Sequence, residues 1–368
     1  MPISLDYIQI EDDRALLDLM LADMKQSEVY FQPTHLWRFY ETKFLPELRA
    51  KGLKDFRRRR HSVLGSFGGT DPFVRPFWSR RDMLTNWKIV QKLMNRLFPV
   101  NPSSGNNPLM RNFFAERHYW RVKDKFRQIN MDIRNCPTSY FGNPEGIAQI
   151  EDKPWTTTHL RYCSLFADAA RYVTFEPNGV FCELGTGLGR NIEVLASLFK
   201  EATIFVFDIP PQLYVANQYL GKVFGSRVVT YKDANSLDPA NKDCANVIKG
   251  KIIIQPSWRM PIWASTKIDV FWNSASFQEM EPEVVSNYLA LIRKMCPEYI
   301  YINAMPGGNY HPGEASKGGL GTIAPVLYNY YVESLQDSYV LLKTYTTDHL
   351  DGLTDHQSYV FKRSKQRI

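Results

Sequence analysis

The sequence predicts an α/β fold built on a mostly parallel sheet, and three observations predict it. From about residue 150, short apolar runs such as VFCEL (Val180–Leu184) and TIFVFD (Thr203–Asp208) alternate with amphipathic stretches of helical period. The first of these runs leads through a glycine-rich turn, ELGTGLG (Glu183–Gly189), into a helix, the order of a ligand-binding strand–loop–helix unit. The last two runs, YVLLKTYTT (Tyr339–Thr347) and QSYVFKR (Gln357–Arg363), are joined by a polar loop and read as a closing antiparallel pair.

Residues 1–145 read as a mainly helical accessory or lid domain, and 146–368 as the sheet domain. In the first, Asp12–Glu28 places Leu16, Leu17, Leu19, Met20 and Met24 near one face at helical spacing. Pro33–Leu53 starts on a proline and carries Leu36, Phe39, Tyr40 and Phe44. A Gly-, Phe- and Pro-rich loop (Gly65–Trp78), a helix over Asn86–Phe98 and a turn cluster over Asn101–Pro108 follow. In the second, helices are expected over Leu160–Val173, Leu188–Lys200, Pro211–Gly225 and Glu281–Cys296. Between them come strands over Val180–Leu184, Thr203–Asp208, Val228–Asp233, Lys251–Gln255, Lys267–Asn273 and Glu298–Ala304. The glycine-rich Asn303–Thr322 segment reads as an active-site lid.

The formal charge of +7 over 368 residues permits attraction to anionic surfaces without requiring it. FRRRRH (Phe56–His61) and SRR (Ser79–Arg81) lack interleaved stacking aromatics, so they read as solvated arginine faces and not as a nucleic-acid footprint. The five cysteines are scattered and never spaced C-x-x-C, which points to reduced thiols and to no metal framework. No run is long and apolar enough for a membrane span, and MPISLDYIQIEDDRALL has no signal-peptide pattern, so a cytoplasmic protein is expected. A homo-oligomer is compatible with all of this.

The glycine turn is informative because of the acids around it. Gly185 and Gly187 let the backbone turn sharply beside a ligand, and Gly189 allows close helix packing. Glu183, two residues before Gly185, repels a pyrophosphate and attracts a cation. Asp208 ends the next strand, where a carboxylate accepts both hydroxyls of a ribose. Asp233, in YKDAN (Tyr231–Asn235), is expected at the end of a third strand, within reach of an adenine amino group. The turn has no Gly-Lys-Ser/Thr to grip phosphates. Adenosine without phosphate, carrying a positive centre, describes S-adenosylmethionine (SAM).

With these residues in place, the sequence resembles the class I SAM-dependent methyltransferases, whose acid-x-Gly-x-Gly-x-Gly pattern is matched by ELGTGLG and whose acidic second-strand end is matched by FDIPP. More narrowly, CELGTGLGRN, FDIPPQLYVANQYL, NSASFQEM (Asn273–Met280) and YINAMPGG (Tyr301–Gly308) are similar to the bacterial sugar O-methyltransferase family, over roughly residues 140–365. The resemblance implies a Rossmann-like class I methyltransferase fold: a mostly parallel seven-stranded sheet with a C-terminal antiparallel strand, plus a mainly helical N-terminal region. It also implies that Glu183, Gly185, Thr186, Gly187 and Gly189 surround the methionine and ribose of SAM. Asp208 would hold the ribose, Ile209 would pack on adenine, Asp233 and Ala234 would lie at the adenine edge, and Asn273 would floor the sulfonium.

Methyl transfer to a hydroxyl needs an aligned acceptor and a base. The candidates for the base are Glu279 in SFQEME, His159 in TTTHLRY and His311 in GGNYHPGE. Gln278, Trp258, Arg259 and Tyr310 are candidate acceptor contacts, the rings for a sugar's apolar face and Arg259 for an anionic substituent. The expected activity is O-methylation of a sugar on a glycan, a nucleotide-sugar or a glycosylated natural product. Two rival readings keep part of it: a SAM enzyme for a phenol, amine or carboxylate, or a binding protein with a degenerate SAM fold. DHLDGLTDH (Asp348–His356) holds metal-ligand residue types but reads as a polar hairpin turn.

Overall fold

The computed structural model describes residues 9–59, 62–67, 108–309, 321–347 and 356–364. The N-terminal region begins with α1 (Arg14–Lys25), whose first turn is capped by the Asp13 carboxylate accepting from the Leu16 N–H. Leu16, Leu17, Met20 and Met24 are buried, as the helical spacing predicts, whereas Leu19 of the same expected stripe falls on the solvent side and is exposed. α2 (His35–Lys51) buries Leu36, Phe44 and Leu48. The long α3 (Pro108–Gln128), unmarked in the sequence reading, buries Ala115, Tyr119, Val122 and Phe126 at spacings of three and four. Its many Arg and Lys residues dilute the apolar signal that periodicity relies on. A small hairpin, β1 (Ala148–Ile150) and β2 (Lys153–Trp155), turns through Glu151 and Asp152 at positive φ.

α4 (Thr157–Ala169), capped by Thr156, leads into the sheet unit. There β3 (Val180–Leu184), α5 (Arg190–Leu198), β4 (Thr203–Asp208) and α6 (Pro210–Phe224) stand where the sequence places them. They are followed by β5 (Val228–Val229), α7 (Tyr231–Asn235), α8 (Cys244–Ile248), β6 (Ile252–Pro256), β7 (Val270–Ser274) and α9 (Pro282–Met295). β8 (Tyr299–Ala304), α10 (Tyr328–Leu335), β9 (Tyr339–Thr346) and β10 (Gln357–Arg363) complete the unit. The sheet has eight strands in the order β5-β6-β4-β3-β7-β8-β10-β9. All the pairings from β5 to β8 are parallel, and β10 runs antiparallel to both of its neighbours. The mixed α/β, mostly parallel architecture and the antiparallel terminal pair are therefore as expected.

Two features differ from expectation. The sheet has eight strands, one at each of the eight apolar runs, where the family resemblance implies seven; the additional one is the two-residue edge strand β5 beside β6. The strand expected over Val228–Asp233 stops at Val229: Thr230 caps a helical turn, accepting from the Asp233 N–H and donating to its carboxylate at 2.6 Å. Asp233 is consequently an exposed helix residue and ends no strand. The strand beside β4 is β6, with Pro256 in register with Asp208.

One apolar core runs from Ile10, Met20 and Phe44 through Tyr119, Trp155 and the β3–β4 face to Val360. A second, containing Phe205, Phe271, Ile300 and Tyr331, fills the opposite face of the sheet. The N-terminal helices thus share a core with the sheet. Polar contacts add to this: Lys232 lies 3.0 Å from the Asp13 carboxylate, and the Asp13 N–H donates to Gln218 at 2.7 Å. Further along, the Thr34 hydroxyl donates to the Glu279 carbonyl at 3.0 Å, which brings the start of α2 to the carboxyl edge of the sheet. Among the described residues no helix is long and apolar enough to cross a membrane.

Candidate functional site

The turn after β3 forms a backbone cradle. Gly185, Gly187 and Gly189 all adopt positive φ (78°, 59° and 82°), a region costly for residues with a Cβ. Space reinforces this at Gly185, where an added Cβ would stand 2.2 Å from Ser276 Oγ. Ser276 reaches that point because Ala275, just after β7, holds φ at 60° and brings the loop over the turn. At Gly189 a Cβ would press on Leu220 of α6 at 3.0 Å, the close helix packing that the motif predicts. The turn is tied to the next strand by two hydrogen bonds, Gly185 N–H to the Phe207 carbonyl (2.9 Å) and Gly187 N–H to Asp208 Oδ2 (2.7 Å).

Three carboxyl groups line this edge. Glu183 is buried and accepts from Thr186 Oγ1 (3.1 Å) and Asn191 Nδ2 (3.0 Å). Burial pushes it up to about 8 against those hydrogen bonds, with the charge of Asp208 adding to the rise. Asp208 accepts from the Gly187 and Ile209 N–H groups, both at 2.7 Å, and burial still raises it to about 7. A carboxylate has about four acceptor positions, so two remain for further donors, as many as a ribose diol presents. Glu279, in the short helical turn Phe277–Glu279 after β7, is half-buried and raised to about 8, first by burial and then by Asp208. Among the described residues no Lys, Arg or His forms an ion pair with any of the three. Three acids grouped at one edge with no cationic partner among the described residues attract a positive charge.

α2 packs its first turns near Glu279, a neighbour that the sequence did not suggest. Burial and the nearby Glu279 raise the Tyr40 phenol, and its ring lies 5.8 Å from that of Trp37. Thr34 and His35 anchor this helix end, the second by donating its N–H to Glu281 at 3.2 Å.

The other predicted residues are placed as follows. Ile209 leads from Asp208 into α6. Asn273 is fully buried, and its side chain joins the end of β3 to the loop after β7, donating to the Leu184 carbonyl and accepting from the Phe277 N–H. Gln278 is buried, with Oε1 accepting from the Met305 N–H at 2.6 Å. Trp258 follows β6, beside the Asp208 strand end. Arg259 donates to Gln255 and to the Leu237 carbonyl. Ala234 is buried, its carbonyl accepting from Gln255, while Asp233 is turned to solvent on α7. Tyr310 and His311 lie outside the described residues, as do Asp348–Asp355 of the DHLDGLTDH run.

His159 is fully buried beneath α5, with Nε2 2.8 Å from the Cys136 carbonyl and Nδ1 3.6 Å from Glu193. Around it stands a network that the arginine run did not announce. Arg57, read from sequence as part of a solvated face, is wholly buried and donates to the Ser139 and Phe141 carbonyls, Thr138 and the Tyr219 hydroxyl. Arg59 likewise turns back onto the carbonyls of Lys51, Gly52 and Lys54. Arg57 therefore cross-links segments distant in sequence, while Arg59 ties down the local turn that follows α2.

No family model and no curated protein matches the chain. Among solved structures, the chain is similar to the pyocyanin biosynthetic protein PhzM (TM-score 0.37, 10% identity, covering 54% of this chain and 53% of that one). It is also similar to the mitomycin 7-O-methyltransferase MmcR (TM-score 0.35, 10% identity, 71% and 70%). A third is the magnesium protoporphyrin IX methyltransferase ChlM from Synechocystis PCC 6803 with bound SAH (TM-score 0.36, 13% identity, 70% and 100%). The match spans about half the length of the first, 53%.

Proposed function

We propose that the chain is a SAM-dependent O-methyltransferase whose acceptor is a sugar hydroxyl. The observation that carries the reading is a set of three carboxyl groups, two buried and one half-buried, with no cationic partner among the described residues, grouped at a glycine cradle on the carboxyl edge of β3, β4 and β7. Bound there, SAM supplies an electrophilic methyl group on a positive sulfur. Glu183, Gly185, Thr186, Gly187 and Gly189 surround its ribose–methionine part, and Asp208 accepts the ribose hydroxyls. Ile209 and the residues following β6, Ser257 and Trp258, border the adenine. A positive charge beside Asp208 and Glu279 offsets their mutual repulsion and favours the ionised carboxylates.

Glu279 is the general base in this reading. A carboxyl group titrating near 8 holds a proton far better than an ordinary one, which suits it to accept the acceptor hydroxyl's proton as the new C–O bond forms. His159 is enclosed in its own network and has no exposed surface from which to reach a hydroxyl. Tyr40, whose phenol senses Glu279, would lie near the acceptor.

The test is a panel of nucleotide-sugars, glycosylated metabolites and their aglycones incubated with SAM and read by mass gain of one methyl. Methylation of the sugar-bearing compounds alone is expected. Turnover of aglycones alone would remove the sugar from the proposal, and calorimetry showing no SAM affinity would remove the enzyme.

A further inference from the structure

Glu279 sits on a single short helical turn, Phe277–Glu279, entered from β7 through Ala275 at positive φ. The turn is held internally by the Glu279 and Met280 N–H groups, which donate to the Ser276 and Phe277 carbonyls. One such turn has too few bonds of its own to fix where it lies, so its position is set by its neighbours. Among the described residues, the one long-range hydrogen bond to Glu279 itself comes from Thr34, whose hydroxyl donates to the Glu279 carbonyl at 3.0 Å.

Thr34 is the N-cap of α2, a place where a hydroxyl ordinarily accepts from its own helix. Here it is 8% exposed and makes no capping bond. The first N–H of α2, on His35, is met instead by the Glu281 carboxylate at 3.2 Å. Glu281 is in turn the N-cap of α9 and makes no capping bond to that helix. Each helix thus gives its capping side chain to the junction between them. The segment after β8 joins the same place: His35 Nδ1 lies 3.2 Å from the Gly321 carbonyl, and the Asn309 N–H donates to the Gln278 carbonyl at 3.1 Å.

We infer that Thr34 is a positioning residue for Glu279: its hydroxyl, braced by the Glu281–His35 bond, sets where the turn carries the carboxyl group, which makes the start of α2 part of the transfer step. A general base works only within hydrogen-bond reach of its proton, and a misplacement of about 1 Å can cost on the order of 10²-fold in rate. This assignment rests on the reading of Glu279 as the base and adds to it a residue of the N-terminal region.

The test uses the full chain and whichever compound of the panel it methylates fastest. Thr34→Val keeps the shape and removes the donor, and since the hydroxyl caps nothing in α2 the helix loses no cap. It is expected to lower kcat roughly 5- to 50-fold, with KM within about threefold and the affinity for S-adenosylhomocysteine (SAH) within about twofold. Thr34→Ser keeps the hydroxyl and should hold kcat within about twofold of the unsubstituted chain. Amide exchange at Glu279 and Met280, read by mass spectrometry, should quicken at least about fivefold in Thr34→Val and not in Thr34→Ser. Thr34→Ala against Thr34→Ser repeats the comparison should the valine variant fold poorly. Unchanged kcat in Thr34→Val, equal losses of kcat and SAH affinity, or a serine variant as slow as the valine one would overturn the assignment. If the unsubstituted chain methylates nothing in the panel, it is the reading of function that fails. Amide exchange then still decides the hold of Thr34 on the turn: faster exchange upholds it and unchanged exchange overturns it.

Discussion

Two groups of buried charge lie at opposite ends of the first turn of α5, and they are solved in opposite ways. In the network behind it, Glu193 accepts from Tyr219 and the Ser139 N–H and lies 3.1 Å from Arg190. Burial alone would raise its carboxyl, yet Arg190, His159 and Arg57 hold it far below the ordinary range. In front, Glu183 and Asp208 are buried and Glu279 half-buried, none with such a cation among the described residues, and all three are raised to between about 7 and 8. Evidently the same residue type serves structure where the chain supplies the counter-charge. Where that counter-charge is withheld, the site is left for a ligand to complete.

Breaking the closed network should have the largest effect. Glu193→Gln leaves the Arg190 and His159 charges uncompensated, and a loss of about 3–5 kcal/mol is expected in denaturant unfolding. A change below about 1 kcal/mol would show that the network is not what holds 136–143 to α5. In the open group, Glu279→Gln should slow methyl transfer by roughly 10²–10⁴-fold while SAH affinity stays within about twofold. Unchanged turnover would remove Glu279 as the base.

Asp208→Asn keeps the shape and the backbone contacts nearly intact but loses the charge. SAH affinity should fall roughly 10- to 100-fold, with Tm unchanged or raised. A Tm drop as large as that of Glu193→Gln would erase the contrast between the two regions. The smallest effect concerns pH. Carboxyls raised to about 7 and 8 keep protons that the unfolded chain releases near 4, so their contribution to stability is present below about 4 and lost as pH rises through 7–8. Without ligand, Tm should therefore decline from pH 5 to pH 9. A cation prefers the ionised acids, so the affinity of SAM relative to neutral-sulfur SAH should grow roughly three- to tenfold between pH 6 and pH 9. A flat ratio would mean that the acids do not sense the sulfonium.

The glycine turn, Glu183 and Asp208 were legible from the sequence because each is a matter of local chain: a strand's apolar run, the residue that ends it, and glycines where φ must be positive. The helices α1 and α2 and the strands β3, β4 and β8 were legible for the same reason, as was the antiparallel pair β9–β10. Local signals failed where partners decide. Asp233 looked like a strand end until Thr230 capped a helix there, and the place beside β4 went to β6. Arg57 looked like a surface charge, since nothing in FRRRRH announces that Thr138, Ser139, Phe141 and Tyr219 will converge on it. By itself the sequence determined which backbone can cradle a ligand and which acids stand at its strand ends. Only the tertiary structure decided which buried charges meet a counter-charge, because burial and pairing are set by segments far apart in the chain. That selection set Glu193 among cations, left Glu279 beside Asp208, and brought Thr34 to the Glu279 carbonyl.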